Sequence, residues 1–165
     1  MSRLVLLALL AACTPEADDT GSPSVDDTGG EDTASPCTEI ALDEGSSGTY
    51  TVDSSGDDHV KHHWVMPEGQ VLVAATATWD QPDWTMALGI GEGWCPHSGD
   101  EHASATGTGG TLEVQYSAAE AGIDAFEADR QWFVHMGVDM PVVRPEDGET
   151  SAYTFAVLLC PADAR

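Results

Sequence analysis

Positive charge is nearly missing from this sequence. Five Lys and Arg stand against 29 Asp and Glu, a formal net charge of −24. Beyond Cys13 the internal basic residues are Lys61, Arg130 and Arg144, with Arg165 at the terminus. Such a surface repels nucleic acid and anionic head groups, so no nucleic-acid partner is expected. A membrane-spanning run is missing from the start of the chain: Leu4–Ala12 is nine residues, and a spanning helix needs about 20. Also lacking are G-x-S-x-G, H-E-x-x-H, a P-loop and a dinucleotide fingerprint, along with the chemistries those motifs carry. With so many carboxylates, chance Asp/Glu pairs are common, and a glycosidase-like pair has no support. The expectation is a protein that is not an enzyme.

What is present begins with LVLLALLAAC, after Arg3. A basic residue, a short apolar run and small residues before a break describe a secretory signal. The ending Leu10-Ala11-Ala12-Cys13 resembles a bacterial lipobox. That resemblance implies loss of residues 1–12 and lipidation of Cys13. Thr14, rather than Asp, follows the cysteine, which by the same resemblance implies the outer membrane. Each buried CH₂ contributes about 0.8 kcal/mol, and two or three acyl chains make a firm anchor.

Residues 14–36, TPEADDTGSPSVDDTGGEDTASP, contain no aromatic residue, and Val25 is the sole large apolar one. A segment that cannot bury apolar surface cannot offset its chain entropy, and like charges extend it. The expected organisation is a signal at 1–12, a lipidated Cys with a disordered acidic linker at 13–36, and a folded domain at 37–165. The linker could also act as a calcium-responsive arm, although it lacks EF-hand spacing.

From Cys37 the texture changes. Short alternating runs are separated by Gly, Pro and Asp clusters: 38–43, 49–53, 59–66, 70–79, 84–90, 111–116, 131–138 and 151–159. In TLEVQY, Leu112, Val114 and Tyr116 share one face. About eight short strands at this spacing predict an all-β, antiparallel sandwich. Residues 117–128, interrupted by Gly122, read as a short helical turn or covering loop. SGDDHVKHHWVMPEGQVLVAATAT, DWTMALGI, TLEVQY, QWFVHMGV and SAYTFAVLL, taken in order, resemble the bacterial pre-peptidase C-terminal domain and its jelly-roll relatives. The resemblance spans roughly 40–160. It implies a jelly-roll-like fold and a domain that does no chemistry itself.

With Cys13 acylated, three thiols remain, and an exported chain meets an oxidising compartment. In jelly rolls the terminal strands often lie together, so Cys37–Cys160 is one pairing, leaving Cys95 over. Cys95–Cys160, with Cys37 free, is the rival.

The stretch DDHVKHHW invites a metal reading. On a strand, His62 and His63 point to opposite faces, and His59 and His63 sit about 13 Å apart. This argues against a three-histidine site within the stretch. A zinc site shared with His97, His102 or His135 stays open, although His135 reads as a strand residue with no ligand role. Calcium has candidates in the acidic loops: Asp57, Asp58, Asp80 and Asp83. These same residues also serve as ordinary solvated turn formers. Trp79, Trp84 and Trp94 are candidates for stacking on a sugar or peptide, with core packing the competing role for Trp84. Trp64 and Trp132 are assigned to the core. The expected function is a non-catalytic, membrane-anchored binding or adhesion module for an envelope polymer or protein. A structural envelope component without a discrete ligand is the alternative, and a small metal-dependent hydrolase a weaker one.

Overall fold

The computed structural model describes residues 36–53, 59–93, 101–139 and 145–163. Nine strands and one helical turn follow one another among the described residues. They are β1 (Thr38–Glu39), β2 (Ser47–Thr51), β3 (His59–Val65), β4 (Gln70–Trp79), β5 (Met86–Glu92), β6 (Glu101–Gly107), β7 (Thr111–Ser117), α1 (Ala118–Ala121), β8 (Gln131–Val138) and β9 (Thr150–Pro161). Two antiparallel sheets result. In one, β1 and β2 lie along the same edge of β9, followed by β4 and β7; the other runs β3-β8-β5-β6.

The pairing is nested: β2 with β9, β3 with β8, β4 with β7, β5 with β6. Four nested strand pairs wound over two sheets make a jelly roll. β1 and β2 together serve as its first strand, so the expected antiparallel sandwich is the observed fold.

Period-two alternation places the core between the sheets. β4 buries Val71, Val73, Ala75, Ala77 and Trp79; β9 buries Tyr153, Phe155, Val157 and Leu159; β8 contributes Trp132, Val134, Met136 and Val138. Trp64 and Trp132 are both in this core, with their rings 6.1 Å apart. Leu112, Val114 and Tyr116 pack inward as expected.

Two details differ from the sequence expectation. β6 lies where a loop is expected, because EHASATG presents only Ala103 and Ala105 to the core. The 38–43 run is a strand only at Thr38–Glu39. Residues 117–128 do contain a helical turn, α1. Its start is a capping box between Ser117 and Glu120, and Gly122 ends it in the left-handed conformation, as such caps require.

Between β1 and β2 the chain crosses from one sheet to the other and back. The Ile40 amide donates to Val157 O, the Asp43 amide to His63 O, and the Phe155 amide to Ser46 O. The crossing segment thus covers the middle of the β3 edge, which would otherwise present unpaired backbone groups. A disulfide joins Cys37 to Cys160 across 123 residues of sequence. It fastens the start of the domain to the end of its last strand.

Candidate functional site

The paired histidines His62 and His63 hold the crossing segment from both faces of β3. His62 turns into the core. Its Nδ1–H donates to Gly45 O, which leaves Nε2 to accept from the Tyr153 hydroxyl at 2.8 Å. The Phe155 ring lies edge-on to it at 5.1 Å. Burial, and after it the nearby Glu44 charge, raise the Tyr153 pKa, so the hydroxyl stays a donor. His63 turns outward. Its backbone amide and its ring Nδ1 meet the two carboxylate oxygens of Glu44, each at 2.7 Å.

Burial by itself opposes ionisation of Glu44. The hydrogen bonds and charge of His63 outweigh it and hold the carboxyl below its ordinary value of 4.5. A carboxyl depressed on folding stabilises the fold above its unfolded pKa and loses that contribution as pH falls through the folded one. Glu44 is 44% exposed, so the effect is under about 1 kcal/mol. Urea denaturation of the native chain and Glu44→Gln is therefore expected to show a small gap at pH 6 that narrows by pH 3. A gap unchanged with pH would refute this assignment.

The outer face of β3-β8-β5-β6 carries a second polar group. Gly89 and Gly91 of β5 point outward, since Leu88 and Ile90 point into the core. Beside this glycine strip stand His135 and Phe133 of β8. Across it, Glu101 of β6 reaches back to His135, with Oε2 at 2.6 Å from Nε2. A Cβ on Gly89 would overlap His135 Nε2 and Glu101 Oε2. The pair therefore rests over the glycine, and a side chain there would have to push it aside. β3 completes the face: Lys61 is in register with His135 and His63 with Phe133. The His59 ring stands edge-on to His135, with centroids 5.3 Å apart. The His135 side chain is 8% exposed, and its Nδ1 is buried without a hydrogen-bond partner.

Other predicted residues fall elsewhere. Asp80 Oδ1 accepts from the Ser151 hydroxyl at 2.7 Å and the Ala152 amide at 3.0 Å, which ties β4 to β9. Asp83 lies in the exposed turn after β4. Among the described residues no group of three or more His, Cys, Asp or Glu side chains is placed to hold a metal. Trp79 is 6% exposed, and its indole N–H donates to Gln81 O. Trp84 is half-buried, edge-on to Tyr50 at 6.2 Å. Cys13, Asp57, Asp58, Trp94, Cys95 and His97 lie outside the described residues.

Glu101 and Gly89 are the members of the outer-face group that sequence reasoning passed over. A signal for them exists in LGIGEG, because alternating glycines in a strand mark a close approach by other groups. The chain matches no protein-family model and no curated protein.

Proposed function

We propose that this chain is a non-catalytic binding module of the bacterial cell envelope. It is anchored through lipid on Cys13, in the outer membrane, and held off the membrane by the acidic segment before Cys37. The observation that carries the reading is the Cys37–Cys160 disulfide at the junction between that segment and the sandwich. A disulfide fits an oxidising compartment outside the cytoplasm. Its position also fits a tether. β1 is two residues long, and a pull on Cys37 would peel it from β9. The disulfide transmits that pull directly to the last strand, and the core stays closed. A module that holds an envelope polymer while anchored by lipid experiences this load.

Cell fractionation tests the anchor. The native chain is expected in the membrane fraction, with the intact mass of a form beginning at acylated Cys13. Cys13→Ser is expected in the soluble fraction. A Cys13→Ser chain that stays with the membrane would overturn the anchor. Co-sedimentation of the soluble Cys13→Ser chain with isolated cell-wall polymer tests the binding, and a chain left wholly in the supernatant would count against it.

A further inference from the structure

We propose that His135 and His59 form a binding site for a borderline divalent transition metal ion, zinc being the type case, with Glu101 as the group that orients His135. Glu101 is acceptor-only when ionised, so at 2.6 Å the proton between the pair belongs to His135 Nε2. This fixes the ring and leaves Nδ1, on the side away from Glu101, as the nitrogen that can coordinate. Nδ1 is buried and has no hydrogen-bond partner. A buried polar atom in that state is destabilising, and an electrophile removes the cost.

The arrangement is the one metal-binding imidazoles use. One nitrogen coordinates, and the other donates to a carboxylate that sets the tautomer and raises ligand basicity. The second nitrogen is assigned to the His59 ring, the neighbouring imidazole on this face. With zinc–nitrogen distances of about 2.0–2.1 Å and tetrahedral angles, two imidazole centroids bound to one ion come to about 5 Å apart. The observed separation is 5.3 Å, with the rings at 82° to one another. Two imidazole nitrogens select a borderline ion over calcium or magnesium, which take oxygen ligands. Two protein ligands leave coordination positions open to water or to a donor from a bound partner. Lys61, in register with His135 on the same face, places a like charge nearby and weakens the site.

Chelator-treated, detergent-solubilised full-length protein titrated with zinc chloride in the presence of excess calcium tests the site. Calcium occupies the many surface carboxylates, so calorimetry reads the nitrogen site. One equivalent is expected to bind to the native chain. His135→Gln and His59→Gln should each weaken binding at least 100-fold. Glu101→Gln should weaken it by 10- to 100-fold, in the range found for such orienting groups. Lys61→Met should tighten it, and His102→Gln should leave it unchanged. Imidazole nitrogen resonances of the native protein supply a readout that needs no variant: zinc should shift Nδ1 of His135 and one nitrogen of His59. Zinc binding that survives both histidine substitutions, or an excess of calcium that abolishes it, would overturn the proposal. So would histidine resonances that zinc leaves in place.

Discussion

The Cys37→Ser/Cys160→Ser chain is expected to melt about 10–20 °C below the native one. The disulfide closes a loop of 123 residues in sequence separation, and bridges closing long loops stabilise small exported domains by about 2–5 kcal/mol. A domain of this size shifts its Tm by a few degrees per kcal/mol. The covalent effect here adds to a local one. β1 pairs with β9 over only Thr38–Leu159 and Glu39–Leu158, and two ladder positions cannot hold a strand against its own chain entropy. Without the bridge, β1 should fray first, and the crossing segment at 40–46 should lose one of its two moorings. Both cysteines must be replaced, because Cys37→Ser alone leaves Cys95 and Cys160 able to pair. Calorimetry of the oxidised native chain, the reduced native chain and the double variant checks this. The last two should coincide at the lower temperature. Melting at one temperature in all three would mean that the bridge adds nothing to the fold.

The fold was legible in the sequence because most strands alternate between large apolar and polar residues. β4, β7, β8 and β9 each put Val, Leu, Phe, Tyr or Trp on one face, and each is found where the pattern places it. β6 escaped notice because its inward residues are Ala103 and Ala105, too small to stand out from the Ser, Thr and Gly of a loop. The neighbouring histidines His62 and His63 were legible as facing opposite ways, since that follows from the strand period alone. Their partners were not. Gly45 and Glu44 come from a segment 17 and 19 residues earlier, and nothing local in the chain announces that it will cross to β3. The same holds for Glu101 and His135, which lie 34 residues apart. Each sits on its own strand as an ordinary polar residue. Only the stacking of β6, β5 and β8 side by side, over a glycine, brings them together.

Gly48→Ala and Tyr153→Phe are each expected to destabilise the fold, and together to cost less than their sum. Gly48 and Tyr153 are directly opposed in the β2–β9 ladder. The Tyr153 ring leans over Gly48 so closely that an added Cβ would lie 2.6 Å from its hydroxyl and 2.9 Å from the ring carbon that bears it. The ring has little freedom to retreat, because its hydroxyl donates to His62, which is itself held by Gly45. Alanine at 48 therefore overpacks a fixed neighbour, at about 1–3 kcal/mol. Phenylalanine at 153 removes the donor and leaves the buried His62 Nε2 unpaired, again at about 1–3 kcal/mol. In the phenylalanine background the closest clash is gone and the ring is released from His62, so the methyl group can be accommodated by a small rotation. Alanine's smaller entropy loss on ordering, about 0.5–1 kcal/mol relative to glycine, then works in its favour. Urea denaturation of the four chains in this cycle should give a coupling of about 0.5–3 kcal/mol toward mutual rescue. Free energies that add to within about 0.5 kcal/mol would mean that the hydroxyl does not hold the ring over Gly48. In that case His62 would be a buried histidine of the core with no part in fixing the first strand to the last.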